Sequence, residues 1–169
     1  DNGIDFSAET TTDNAVVYAV MGMTGLFKGQ FKRLPYFYKI REYNDYESRD
    51  LWEYDLNLSE QAITMLVAHV WELGATYFDY FYLTENCSYH ILAVLEAADP
   101  KLELLSHLRT IVLPVDTVHA VYQSPGLVQR VRFRPSLRTS FKSRLEQLTA
   151  SQRDHVTQLA ADPQGSLPS

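Results

Sequence analysis

A single cysteine, Cys87, stands in the chain, so no internal disulfide can form and cysteine usage does not report the redox compartment. No apolar run is long enough to span a bilayer, and no charged-then-apolar secretory leader opens the sequence. The chain starts instead on polar DNGIDFSAETTTDN, which has the look of a processed or trimmed start, so the missing leader says little about location. Positive charge is also short. Fifteen Lys and Arg face 21 Asp and Glu, a net charge of -6, which is the wrong sign for a surface that binds nucleic-acid phosphates. The one basic cluster, Arg130, Arg132, Arg134, Arg138, Lys142 and Arg144, reads as a solvated strand and helix face. Gly22, Gly25 and Gly29 match neither G-x-G-x-x-G nor a phosphate loop, and read as turns and tight packing. No two His, Cys, Asp or Glu stand in a familiar metal-ligand pattern, Cys87-x-x-His90 being too little by itself. Nucleic acid, metal and cofactor are therefore not expected as partners.

What the chain has is apolar and aromatic. At 169 residues and 46% hydrophobic it can bury a sizeable core, and one domain over residues 1–161 is expected, with residues 162–169 a frayed, flexible tail. Aromatic residues crowd between Tyr36 and Tyr89, marking that stretch as core or pocket. The predicted class is α+β, with a small antiparallel sheet packed against helices.

Several segments carry that reading. AVVYAVMGMTGLF opens β-branched and apolar and then breaks into turns at its glycines. PYFYKIREY and RDLWEYDLNL both alternate and are expected to pair as a hairpin across NDYES. Arg49, Asp50 or Glu53, interleaved with apolar residues there, is expected to form a half-buried ion pair. Ser59 caps a helix with Ile63, Leu66, Val67, Val70 and Trp71 on one face, ended by Gly74. YFDYFYL is a short strand-like link. A second helix starts near Asn86, with Ile91, Leu92 and Leu95 as its stripe, and stops at Asp99-Pro100. RTIVLPV reads as a strand, Asp116 as the cap of a short helix through Tyr122, and LVQRVRF as a strand. Residues 136–161 read as one or two polar helices with a thin stripe at Leu137, Phe141, Leu145 and Leu148.

The chemistry centres on Cys87. Thiolate is the nucleophilic form of cysteine, and the unpaired N–H groups and dipole of a helix N-terminus stabilise it. Asn86 or Thr84 as cap puts Cys87 in the first turn, with backbone N–H groups near enough to hold an oxyanion. The competing reading is a small buried hydrophobe; the polar neighbours Glu85, Asn86 and Ser88 weigh against deep burial. A nucleophilic thiol needs a base. His69, His90, His107, His119 and His155 are on offer. His90 lies one turn on from Cys87, where neighbours on one helix rarely aim at each other, and reads as a helix-surface residue. His69, at the edge of the preceding helix's stripe, is the first candidate base inside the chain, with packing as its alternative role.

KIREYNDYESRDLWEYDLNLSEQ, VAHVWELGATYFDYFYLTENCSYHILAVLEAADP and LPVDTV with GLVQRVRFRPS resemble, in order, the Lnb N-terminal periplasmic domain family. The resemblance runs from about Ile4 to Ser136, and RDLWEY and ENCSYH are its most specific pieces. It implies an envelope protein of Gram-negative bacteria, located in the periplasm and related to lipoprotein N-acyl transfer. It also implies a circularly permuted papain-like or NlpC/P60-like fold. In such folds the histidine precedes the cysteine, so the resemblance implies a Gly-His strand upstream of the segment IDFSAET and a base that this chain lacks. The site it implies has Cys87 as nucleophile and Glu85 and Asn86 as its frame. Tyr80 and Tyr82, in the stretch Tyr77 to Tyr82, offer an acyl pocket, with core packing the alternative.

Three functions follow as expectations. The first is a thiol-dependent acyltransferase or hydrolase acting on lipoprotein or phospholipid, with membrane association through parts outside this chain. The others are a non-catalytic envelope scaffold and a cell-wall amidase or peptidase of the same fold.

Overall fold

The computed structural model describes residues 2–9 and 12–161; the expected tail falls outside them. In chain order the elements are β1 (Asn2–Glu9), α1 (Ala15–Thr24), β2 (Phe27–Pro35), α2 (Tyr36–Ile40) running on into a wider π-type turn (Arg41–Tyr46), β3 (Leu51–Leu56), α3 (Glu60–Leu73) and β4 (Phe78–Tyr80). They continue as α4 (Cys87–Ala98), α5 (Pro114–Gln123), β5 (Val128–Arg134), α6 (Leu137–Glu146) and α7 (Ala150–Ala161). One sheet is antiparallel in the order β1-β2-β4, and a second consists of β3 and β5. The α+β class is thus as read. The chain packs as two compact units, Asp1–Tyr36 with Tyr54–Arg132, and Phe37–Glu53 with Phe133–Ser169.

The first unit is built around α4. Phe6 of β1 and Phe31 of β2 are register partners, so both rings leave the same face of the sheet, and they meet edge to face with centroids 4.8 Å apart. With Val94 of α4 they form one buried cluster, against which Leu66, Val70, Leu73, Phe78, Cys87 and Ile91 pack. Leu92 of α4 belongs to a second cluster with Leu104, Ala120, Val121 and Leu127. The expected single stripe on α4 is therefore divided, Ile91 toward the first cluster and Leu92 and Leu95 toward the second. A helix apolar on more than one side must be covered on more than one side. Each fully buried Leu there contributes about 1.5–3 kcal/mol.

The second unit contains the ends of β3 and β5, α6 and α7. The expected ion pair is Glu53 with Arg134, at 3.0 Å, with the Glu53 side chain only 14% exposed. Trp52 and Phe133 lie beside it, ring centroids 4.7 Å apart. The Asp50 carboxylate accepts from the Ser136 N–H at 2.8 Å, and Ser136, fully buried, caps α6 through the Thr139 N–H. The Ser136 N–H first, and then the Thr139 and Ser136 hydroxyls, hold Asp50 below the usual carboxylate range. Arg49 pairs on the surface with Glu47 instead.

Four local readings are corrected. Ala15–Thr24 is a helix, because Asn14 caps it by accepting from Val16 and Val17 and Gly25, at φ 73°, closes it; the end groups offset the weak helix preference of its valines. PYFYKIREY is helical, not a strand, and β3 pairs with β5 and not with its sequence neighbour. That distant partner brings Arg130 and Arg132 to Asp55 at 2.7 and 2.9 Å, which no local hairpin offers. The strand in the region is FKGQFKRLP, β2, whose alternation of Phe27, Gly29 and Phe31 is masked in the sequence by its lysines. RTIVLPV forms no strand: Val112 N–H donates to the Leu83 carbonyl and Leu113 N–H to the Asp116 carboxylate, so Asp116 serves from inside the first turn of α5 and not as its cap residue.

Gly29 offers the first test. A β-carbon there would stand 2.4 Å from the Phe6 ring, inside any tolerable contact. Gly29→Ala is expected to destabilise the chain by about 1–3 kcal/mol through overpacking. Urea denaturation measures it, and Gly29→Ala with Phe6→Leu should recover part of the loss; an unchanged midpoint for the single variant would refute the packing.

Candidate active site

Cys87 is the first residue of α4, as the sequence implied, and it is half-buried. Asn86, buried and in extended backbone, is the cap: its side-chain oxygen accepts from Ser88 N–H at 3.0 Å and Tyr89 N–H at 3.3 Å. Its amide nitrogen donates to the Tyr82 carbonyl at 3.2 Å and the Val112 carbonyl at 2.7 Å. One side chain therefore fastens the start of α4 to the two loops beside it. The Phe81 N–H donates to the Glu85 carbonyl at 3.2 Å, closing the turn that presents residues 86 and 87.

The Tyr80 hydroxyl, carried by β4, lies against both the thiol and the backbone N–H of Cys87. Burial, and then the neighbouring thiol, push Tyr80 up to about 12. Tyr80 thus keeps its proton throughout the neutral and mildly alkaline range. Tyr82 follows, its ring 6.1 Å from Tyr80 and its hydroxyl 3.0 Å from that of Tyr18.

His90 is the residue that the sequence misplaced. It is 7% exposed, with its imidazole stacked on Phe6 at 4.2 Å and its Nε2 without a hydrogen-bond partner. It is buried because Phe6 of β1 covers that flank of α4, a long-range pairing that helix spacing does not reveal. Burial lowers its pKa, against the opposing pull of the Glu85 carboxylate and of the Asp79 and Glu85 backbone. His69 is half-buried on α3, its Nδ1 3.9 Å from the Glu72 carboxylate one turn away on the same helix. Of the residues singled out beforehand, the structure joins Tyr80, Tyr82, Glu85, Asn86 and Cys87 into one group, while the ionic contact of His69 stays within α3. An apolar groove of about 910 Å³ lies elsewhere, lined by Ile4, Phe31, Arg33, Val67, Val70 and Trp71, and takes no residue from Tyr77 to Tyr82.

The depressed His90 fixes a sign. Above the ordinary imidazole value near 6.5 both folded and unfolded chains hold it neutral. As the pH falls below that value the unfolded chain takes the proton first, so stability drops toward the lowered folded value. The urea midpoint is expected to fall as the pH drops below about 6.5, and less so in His90→Phe. Equal slopes in the two proteins would contradict it.

Residues 1–124 match the family model for the Lnb N-terminal periplasmic domain. The chain belongs to that family. It is accordingly a periplasmic, envelope-related domain. The match includes β1 through α5 and stops short of GLVQRVRFRPS, a segment to which the motif resemblance extends. No curated protein and no solved structure matches the chain. Among the described residues no group of three or more His, Cys, Asp or Glu could hold a metal ion, and no helix is long and apolar enough to cross a membrane.

Proposed function

We propose that this domain is a thiol-dependent acyltransferase of the cell envelope, with Cys87 as its nucleophile and an ester of a phospholipid or lipoprotein as its acyl donor. The observation that carries the reading is the placement of Cys87 at the first position of α4 with the Tyr80 hydroxyl against its thiol and its N–H. A cysteine helix N-terminus packed on an antiparallel sheet also suits a permuted papain-like organisation.

The steps follow from those groups. The Cys87 thiolate attacks the ester carbonyl, and the carbonyl oxygen gains the negative charge. The Cys87 N–H and the Tyr80 hydroxyl are the donors at hand for that oxyanion. Collapse expels the alcohol, which takes up a proton, and leaves an acyl thioester on Cys87. An amine then attacks the thioester, forming an amide and returning the thiol; water in its place gives a carboxylic acid. His90, with its unpartnered Nε2 one turn from Cys87, and His69 are the two bases to weigh.

The test is intact-mass spectrometry after incubation with phosphatidylethanolamine or a diacylated lipopeptide. One acyl group, removable by neutral hydroxylamine and mapped to Cys87, is expected. Comparing His69→Ala with His90→Gln identifies the base by which of them slows its formation. Absence of any thioester with either donor would sink the proposal.

A further inference from the structure

We propose that the outer face of α1, with the segments at 82–83 and 111–115, docks this domain on a lipid bilayer around the N-terminus of α4. Residues 15 to 27 contain no charged side chain, and Val16, Val20 and Met23 on α1 are exposed, Val16 at 72% and Met23 at 67%. Leu83 and Ile111 on the two loops, and Val115 in the first turn of α5, are exposed as well.

These segments form one surface because hydrogen bonds stitch them together. Tyr82 N–H donates to the Gly22 carbonyl of α1 at 2.8 Å, and Val112 N–H donates to the Leu83 carbonyl at 2.8 Å. Asn86 joins Tyr82 and Val112 through its amide group. Gly22 has no room for a side chain, since a β-carbon would meet the Tyr82 ring at 2.8 Å, so α1 lies close on that loop. The patch is therefore fixed in shape, and its helical part carries its backbone polar groups already paired. Such a surface enters the outer hydrocarbon of a bilayer without burying unpaired N–H or C=O groups.

Three observations favour lipid over a protein partner. Exposed aliphatic side chains stand on all three linked segments, and apolar surface gathered in this way is unusual on a free domain. Tyr18 and Tyr82, joined by their hydroxyls at 3.0 Å, are amphipathic rings of the type that sits at a headgroup boundary. Arg109, exposed two residues before Ile111 and without an acidic partner among the described residues, supplies a positive charge that complements lipid phosphate in a chain of net charge -6. At ten residues α1 is too short to span, so it lies in the plane of the interface. The inference stands apart from acyl transfer: a scaffold would dock by the same face.

Flotation of the 169-residue chain with vesicles of phosphatidylethanolamine and phosphatidylglycerol, and with vesicles of phosphatidylcholine alone, tests it. Binding to the first is expected, with a loss of at least about tenfold in Val20→Asp/Met23→Asp. Arg109→Gln is expected to lose about fivefold on the anionic vesicles and little on phosphatidylcholine. These positions are exposed, so folding should survive, and Val20→Trp gives a second reading, a blue shift of its emission on adding vesicles, measured against the parent protein. No flotation of the parent protein, or no blue shift, overturns the proposal. So does self-association that Val20→Asp/Met23→Asp abolishes while vesicles are ignored, because the face would then be a protein interface.

Discussion

Cys87→Ala is expected to remove acyl-thioester formation outright and to lower turnover of an ester donor at least about a thousandfold, the scale on which loss of a covalent nucleophile acts. Tyr80→Phe separates two roles of the same site. If the hydroxyl steadies the oxyanion, its loss should lower kcat about a hundredfold with KM little changed. Tyr80 is half-buried and its ring stacks on Phe6 at 6.2 Å, contacts that phenylalanine keeps, so the fold should hold. Rates of alkylation by iodoacetamide against pH, measured in the parent chain and in Tyr80→Phe, give a readout that packing would not move. Loss of the hydroxyl removes a hydrogen-bond partner from beside the sulfur, so the alkylation profiles of the two proteins should differ. Identical pH profiles and identical turnover in the two proteins would remove Tyr80 from the chemistry.

The second large effect is on stability. Asn86 makes four hydrogen bonds from a buried position, two as cap and two as donor to carbonyls of separate loops. Asn86→Ala loses the cap, about 1 kcal/mol, and strands two carbonyls at about 1–3 kcal/mol each, so a total of about 3–7 kcal/mol is expected. Asn86→Asp keeps the cap oxygen but has no amide donor and sets a carboxylate against two carbonyls. It should therefore be nearly as damaging, which distinguishes the loop-fastening role from simple capping. Chemical denaturation of the three proteins decides; an Asp variant as stable as the parent would show that the bonds to Tyr82 and Val112 carry nothing.

Local signals were legible where they were short-range. Ser59, Gly74, Asn86 and the Asp99-Pro100 stop bound α3 and α4 as expected, because caps and breakers act within a turn. Cys87 at a helix start was readable for the same reason. The failures were all partner choices. Nothing near Leu51–Leu56 in sequence announces β5 as its mate, and FKGQFKRLP reads as a strand only once Phe6 is known to lie opposite Phe31. The burial of His90 has that same cause, the ring of Phe6 arriving from more than eighty residues away in sequence. α1 misled because its β-branched residues resemble a strand while its caps, Asn14 and Gly25, decide for a helix.

The division of α4 between two hydrophobic clusters has a consequence for how the first unit comes apart. Ile91 and Val94 hold one cluster while Leu92 and Leu95 hold the other, all within a turn and a half of helix. Neither cluster can open while α4 stays seated, and α4 cannot leave without dissolving both. Backbone amides of α4 should therefore exchange with deuterium only through concerted opening of that whole unit, at one common rate set by its full unfolding free energy. Amides of α1, whose outer face is exposed among the described residues, should exchange faster and separately from those of α4.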